Sequence, residues 1–199
     1  MWQAAAGMKP PSLTLITSNP QKALEINQAL RQFNITIQHK NIDLPEVKDL
    51  RIETVVRDKA EKAFALLRRP VLVDDTGIFF VGYRDFPGAY AKFAFRTLGF
   101  KGLFRLIKPG TRAYFCSYLG FKAKATAPVQ VFRGICRGRL ITKLRGKRKA
   151  KMPYDNIFIP DGDTLTFSQM TVTGKQRYDH RSKAVRQFAR YYLKQYASR

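Results

Sequence analysis

The segment Val71–Gly77 places the strongest constraint on how this chain can fold, because it joins an apolar strand pattern directly to paired acids. Three apolar residues run into Asp74 and Asp75, and a threonine and a glycine follow. An apolar run between a proline and a glycine is typical of a short buried strand. Carboxylates are almost never buried without a partner, so a compensating charge is expected here. Mg²⁺ is the simplest candidate, since it prefers oxygen ligands.

The two acids are expected to play different parts. Side chains alternate along a strand, so Asp74 and Asp75 should point to opposite faces of the sheet, and only one of them should face a site. The alternative is a solvated strand end followed by a turn, and this stretch alone does not decide between the two.

The charge balance is the second constraint. Thirty-seven Lys and Arg residues oppose 14 Asp and Glu residues, which gives a formal net charge of +23. Such an excess favours polyanionic partners such as nucleotides, nucleic acids or an anionic surface. The alternative is that the positive charge serves solubility, or adaptation to a salty or hot cell interior. Residues 143–151 hold six of the cations, and this cationic run is either a nucleic-acid-binding segment or a solvated loop.

Length and apolar content indicate one folded domain. With 199 residues, 45% of them hydrophobic, the chain can bury a core. We assign residues 12–199 to a single domain and residues 1–11 to a loose leader, which lacks the features of a secretory signal. No apolar run reaches the roughly 18 residues of a membrane span. Cys116 and Cys136 lack disulfide or metal-ligand spacing, which predicts buried, reduced thiols and a cytoplasmic location.

Hydrophobic periodicity predicts a mixed α/β fold with a central sheet and a cleft between two lobes. Strands are predicted over 12–16, 35–38, 71–77 with an extended continuation over 78–83, 114–121, 129–141 and 154–159. Helices are predicted over 20–33, 53–68, 91–107 with breaks at Gly99 and Gly102, and 179–196, with a turn over 86–90.

Two helix starts are candidate anion sites. Asn19 is a good N-cap and Pro20 suits the first helical position. A helix start presents backbone N–H groups and the positive end of the helix dipole, and Lys22 adds a positive charge in the first turn. The last helix opens at Asp179–Arg181, where the aspartate is a natural N-cap, and this predicts a second site of the same kind.

Seven short motifs occur in a fixed order. They are Thr17–Lys22 (T-x-N-x-x-K), Asp43–Glu46 (D-L-P-E), Val71–Thr76, Pro87–Phe93, Phe132–Gly134, Tyr154–Phe158 and His180–Arg181. Together, over roughly residues 13–195, they resemble the inosine triphosphate pyrophosphatase family, also called HAM1-like. The resemblance implies an elongated α/β fold around a long mixed sheet flanked by helices, a cleft between two lobes, and a homodimer.

The resemblance also implies a reaction and its residues. The family hydrolyses the noncanonical purine nucleotides ITP, dITP and XTP to the monophosphate and pyrophosphate with Mg²⁺, which cleans the nucleotide pool. Glu46 and Asp75 would bind Mg²⁺, and Asp75 would be the catalytic residue that orients or deprotonates the attacking water. The substrate-binding residues would be Thr17, Ser18, Asn19, Lys22, Lys59, Thr76, Lys92, Met152, Pro153, Tyr154, Asp155, Lys175, His180 and Arg181.

The part of the motif set that reads the base departs from the family pattern. Met152 stands where an aromatic residue is usual, Pro153 replaces a glycine, and Asp179 replaces a serine. Methionine can still cover a ring, but proline removes a backbone N–H. Two alternatives therefore stay open. One is a related pyrophosphatase that acts on other modified nucleotides. The other is a basic nucleic-acid-binding protein on the same scaffold, with weak or altered nucleotide specificity.

Overall fold

The structure is a computed structural model that describes residues 12–84 and 86–196, so the predicted leader lies outside the described residues. The strands are β1 (Leu13–Ile16), β2 (Ile37–Lys40), β3 (Val71–Phe80), β4 (Pro87–Gly88), β5 (Arg112–Lys122), β6 (Gln130–Leu140) and β7 (Phe158–Pro160). The helices are α1 (Pro20–Arg31), α2 (Ile52–Leu67), α3 (Ala91–Leu106), α4 (Val172–Gln176) and α5 (His180–Tyr196).

The described strands form one mixed sheet, which confirms the predicted α/β architecture. The strand order is β2-β1-β3-β5-β6-β7, and β4 pairs with β3. β1 is parallel to β2 and β3, whereas β5, β6 and β7 continue the sheet in antiparallel pairs. Ile16 pairs with Val73. The loop after β1 therefore emerges beside Asp74 and Asp75, which places two of the sequence motifs next to each other.

Alternation along β3 divides the apolar core between the two faces of the sheet. Leu72 packs in a cluster with α1 and α5, whereas Val71 and Val73 pack in a second cluster with α2. Farther along β3, Ile78 and Phe80 belong to a third cluster with α3 and β7. Each fully buried side chain of this kind contributes about 1.5–3 kcal/mol of transfer free energy. The first two clusters stabilise one end of the sheet and the third stabilises the other.

Some local predictions are wrong. The strand predicted over 154–159 is instead a 3₁₀ turn at Pro153–Asn156 followed by β7, because proline at the first position fixes a helical φ. The break predicted at Gly99 is confirmed by its φ of 55°, but the helix continues through Gly102. The predicted turn over 86–90 contains β4, and α4 was not predicted.

The cysteines behave as the sequence predicts. Cys116 and Cys136 are free and buried, and burial raises the pKa of the Cys136 thiol to about 12. A thiol of this kind is unreactive at neutral pH. None of the helices in the described part of the chain is long and apolar enough to cross a bilayer.

Candidate active site

A cavity of about 590 Å³ is lined in part by members of the second and third core clusters. It collects 15 of the 16 site residues that the resemblance implies, with Lys175 as the exception. The lining members of that set are Thr17, Ser18, Asn19, Lys22, Glu46, Lys59, Asp75, Thr76, Lys92, Met152, Pro153, Tyr154, Asp155, His180 and Arg181. The cavity also includes Arg96 and Lys151, which the motifs do not indicate.

The two acids predicted to bind a metal act on the same lysine. Lys59 Nζ donates a hydrogen bond to Glu46 Oε1 at 2.6 Å. Burial disfavours the charged form of Lys59, but Asp75 and Glu46 outweigh burial and raise its pKa. Burial also raises the pKa of the half-buried Asp75, to about 6, with further contributions from Glu46 and Asp74 against the opposing effects of Lys22 and Lys59. Asp75 is therefore a carboxylate whose negative charge is only partly compensated.

Asp74 points to the other face and organises the cations. The predicted division between the adjacent acids is confirmed, since Asp75 lines the cavity and Asp74 does not. Lys22 Nζ lies 2.7 Å from Asp74 Oδ2, and Ser117 Oγ donates to Asp74 Oδ1 at 2.5 Å. Arg181 Nε lies 3.5 Å from the same carboxylate. Burial would raise the pKa of Asp74, but Lys22 and Arg181 hold it well below its usual range.

Lys175 belongs to a buried ion network behind the cavity. The resemblance implied that Lys175 binds substrate, but it does not line the cavity. Its Nζ lies 3.0 Å from Glu25 Oε1 and 2.7 Å from Asp155 Oδ2, and Arg181 donates to the same glutamate. Burial opposes the charge of Lys175, but Asp155 and Glu25 raise its pKa. Lys175 thus fixes the positions of two acids. Asp155 lines the cavity, and Glu25 binds Arg181.

Glu25 was not predicted, although the sequence carries a signal for it. It lies beside Ile26 on the buried stripe of α1, where a charged residue is unusual. Burial raises the pKa of its carboxyl group, but Lys175 and Arg181 outweigh burial and lower it. An acid in an apolar stripe indicates a buried partner, and only the folded chain identifies the partners.

The helix starts are capped by the chain itself. The Asn19 side chain accepts hydrogen bonds from the backbone N–H groups of Gln21 and Lys22, at 3.1 and 3.4 Å. Asp179 Oδ1 accepts from the N–H of Ser182 at 2.7 Å. Both predicted caps are confirmed. The caps occupy N–H groups that were proposed for anion binding. The two helix starts therefore contribute to the site mainly by orienting its side chains, and less by presenting unpaired N–H groups.

Aromatic side chains also line the cavity. The His180 ring stacks on Phe115, with centroids 4.7 Å apart and planes 10° apart, and Tyr154 Oη donates to the Ala91 carbonyl at 3.0 Å. Burial, with Arg181 and Lys175, lowers the pKa of His180 well below its usual value, so the ring is neutral. Neither of its ring nitrogens has a hydrogen-bond partner among residues 12–84 and 86–196.

Sequence comparison assigns the chain to a family. Residues 13–191 match the sequence model of the Ham1 family. A dITP/XTP pyrophosphatase from Hyperthermus butylicus is 35% identical over 191 residues, covering 95% of this chain and 98% of that protein. A dITP/XTP pyrophosphatase from Saccharolobus solfataricus is 33% identical over 179 residues, covering 89% and 91% respectively.

The fold agrees with a solved structure. A HAM1 protein from Coxiella burnetii superposes with a TM-score of 0.76 at 20% identity, covering 92% of this chain and 99% of that chain. At that identity the superposition is evidence for the fold alone. The family match over nearly the whole chain, the curated relatives and the shared mixed sheet lead to one conclusion: this chain belongs to the Ham1 family.

Proposed function

We propose that the protein hydrolyses noncanonical purine nucleoside triphosphates, ITP, dITP and XTP, to the monophosphate and pyrophosphate. The observation that carries this proposal is one cavity lined by the carboxylates of Glu46 and Asp75, by several lysines and by aromatic side chains. The relatives from Hyperthermus butylicus and Saccharolobus solfataricus, both dITP/XTP pyrophosphatases, support the same substrate class.

The lysines suit the phosphate chain. Cleavage between the α- and β-phosphates needs an in-line water and positive charge for the departing pyrophosphate. Lys22, Lys59 and Lys92 all line the cavity. Lys22 is held by Asp74 and Lys59 by Glu46, so the positions of these two ammonium groups are fixed before substrate enters. Preorganised charge of this kind costs little reorganisation in the transition state.

The donor set fits Mg²⁺ bound together with substrate. No group of three or more His, Cys, Asp or Glu side chains in the described ranges forms a metal cage. Mg²⁺ is commonly held through one or two carboxylates and substrate phosphates. Asp75, whose negative charge is only partly compensated, and Glu46 are two such carboxylates in this cavity. When bound, the ion would polarise phosphate oxygens. Asp75 would hold the attacking water and accept its proton, a role that suits a carboxyl group with a pKa of about 6.

His180 is the best candidate for reading the purine 6-position. Inosine and xanthine carry a 6-oxo acceptor there, whereas adenine carries an amino donor. The neutral His180 ring has one N–H donor and one acceptor nitrogen, and neither has a hydrogen-bond partner in the described part of the chain. The guanidinium of Arg181 is already engaged by Glu25 and Thr76. If the ring presents its N–H to the purine 6-position, the amino group of adenine leaves that donor unpaired, which costs about 1–3 kcal/mol and disfavours ATP.

The direct test is a panel of nucleoside triphosphates with Mg²⁺, assayed separately for pyrophosphate and orthophosphate. We expect ITP, dITP and XTP to give pyrophosphate and the monophosphate in equal amounts, and ATP to react at least about tenfold more slowly. Orthophosphate as the first product, or equal rates for ATP and ITP, would contradict the proposal.

Met152 is expected to affect base selectivity. It lines the cavity and is half-buried, at the position where the family usually has an aromatic residue. Met152→Phe should raise the ratio of kcat/KM for ITP over ATP by about three- to tenfold, since a flat ring packs better on a purine and holds it against the polar groups. The inhibition constant of pyrophosphate, which has no base, serves as the control and should not change. An unchanged ITP-to-ATP ratio would exclude Met152 from base choice.

The homodimer and the cytoplasmic location stay predictions. Light scattering of the purified protein tests the first, and localisation of the tagged chain in its own cell tests the second.

A further inference from the structure

The cationic run of residues 143–151 is anchored to the body of the protein. Asn156 Nδ2 donates to the carbonyl oxygens of Arg145, Gly146 and Lys147 at 2.8, 3.3 and 3.2 Å, and Ser168 Oγ also donates to the Lys147 carbonyl. Gly146 has a φ of +74°, and a Cβ there would clash with the backbone of Ser168. The first half of the run is therefore fixed by buried polar side chains.

The second half of the run reaches the cavity. Ala150, Lys151 and Met152 line it. Lys151 Nζ donates to the Ser18 carbonyl at 2.5 Å, and Asn19 Nδ2 donates to the Lys151 carbonyl at 3.4 Å. This pair of contacts ties the segment to the loop that follows β1, which is the loop expected to hold the triphosphate.

The ammonium group of Lys151 is held differently from those of Lys22 and Lys59, which also line the cavity. Lys22 is paired with Asp74 and Lys59 with Glu46. Lys151 is exposed, and within residues 12–84 and 86–196 its Nζ contacts a neutral carbonyl and forms no ion pair with a carboxylate. A phosphate oxygen carries negative charge, so a hydrogen bond from the ammonium group to it adds the attraction of opposite charges, which a neutral carbonyl does not provide. The lysine therefore gains by exchanging its partner when a polyphosphate enters.

We propose that Lys151 is a further substrate-binding residue, whose ammonium group leaves the Ser18 carbonyl to contact the phosphate chain of the nucleotide. Lys151 is next to Met152 in the chain, so this contact also holds Met152 over the purine. The proposal rests on the proposed nucleotide substrate. It gives one residue of the cationic run a specific role at the cavity, whereas Lys147 stays a solvated cation of the same segment.

The test compares Lys151→Gln with Lys147→Gln, a matched loss of one charge from the same segment. Lys151→Gln should raise KM for ITP about tenfold with kcat within about threefold of wild type, since a contact made equally in ground and transition states affects KM alone. The dissociation constant of pyrophosphate, measured by calorimetry with Mg²⁺, should rise by a similar factor. Lys147→Gln should leave both constants within about twofold, and Lys151→Arg should restore most of the affinity because the charge returns.

The pyrophosphate measurement separates the two proposals. Pyrophosphate binding needs no turnover, so Lys151 can be tested even if ITP is not the substrate. The assignment is overturned if Lys151→Gln changes pyrophosphate affinity by less than threefold, or no more than Lys147→Gln does. A fall in thermal stability with unchanged pyrophosphate affinity would mean that Lys151 only fastens the segment to Ser18, and this outcome also overturns the assignment.

Discussion

Asp75→Asn is expected to abolish pyrophosphate release and, at the same time, to stabilise the metal-free protein. The amide cannot accept the proton of the attacking water and is a poorer ligand for Mg²⁺, so turnover should fall at least about 100-fold. Asp75 also carries a partly compensated charge, with a pKa raised to about 6. Keeping that charge in the folded state at neutral pH costs on the order of 1–3 kcal/mol, and the substitution removes the cost.

The gain in stability should depend on pH in a defined direction. Because the folded pKa of Asp75 is raised, the folded state binds a proton that the unfolded chain releases between about pH 4 and the folded pKa of about 6. The cost is complete above pH 6 and disappears below about pH 4. The advantage of Asp75→Asn over wild type should follow the same course. Urea unfolding in EDTA from pH 4 to 8 measures it.

Two results would contradict this account of Asp75. Turnover close to wild type in the variant would remove Asp75 from the mechanism. A variant that is inactive but less stable than wild type at every pH would mean that the lost activity reflects damage to the fold. Glu53→Gln is a suitable control, since it removes an exposed acid outside the cavity whose partner, Arg57, is also exposed.

Asp74→Asn is expected to destabilise the folded state by about 3–5 kcal/mol, the typical cost of removing one partner from a buried ion pair. The fully buried Asp74 carboxylate binds Lys22 and Arg181 from two elements, and the amide would leave Lys22 without its counter-charge and Arg181 with Glu25 alone. Turnover should fall as well, because Lys22 loses the group that holds its ammonium at the cavity.

The full destabilising effect of Asp74→Asn should be observed at neutral pH. Because the folded pKa of Asp74 lies well below its usual range, its contribution is present above the ordinary aspartate pKa of about 3.9 and is lost as pH falls further. The matched control is Asp161→Asn, which breaks the exposed pair with Arg112 and should cost about 0–1 kcal/mol. Equal midpoints of urea unfolding for the two variants would show that Asp74 does not organise the site.

Much of the site follows from local sequence because the signals are local. An N-cap followed by proline fixes the start of α1, and alternation along a strand separates Asp74 from Asp75. The parallel pairing of β1 with β3 then brings the Thr17–Lys22 loop to the paired acids. The order of the motifs was enough to identify the family, and 15 of the 16 indicated residues line one cavity.

Other features depend on contacts between residues far apart in the chain. The resemblance implied that Lys175 binds substrate, yet its ammonium group is shared by Glu25 and Asp155, which lie 150 and 20 positions away. The predicted strand over 154–159 was wrong because Pro153 starts a 3₁₀ turn that places Asp155 against that lysine. A periodic pattern specifies which face of an element is buried, but it contains no information about the partner across the core.

The sequence by itself determined the mixed α/β architecture, the capped helix starts and the short motifs that identify the family. Propensity, alternation and capping act over a few neighbouring residues, so they can be read from the sequence. Only the tertiary structure decided which charges compensate one another. Burial makes every unpaired charge costly, so Lys22, Lys175 and Arg181 form ion pairs with the acids that packing brings within reach. Asp75 is left with its charge only partly compensated, at the point where the phosphate chain and its metal ion are proposed to bind.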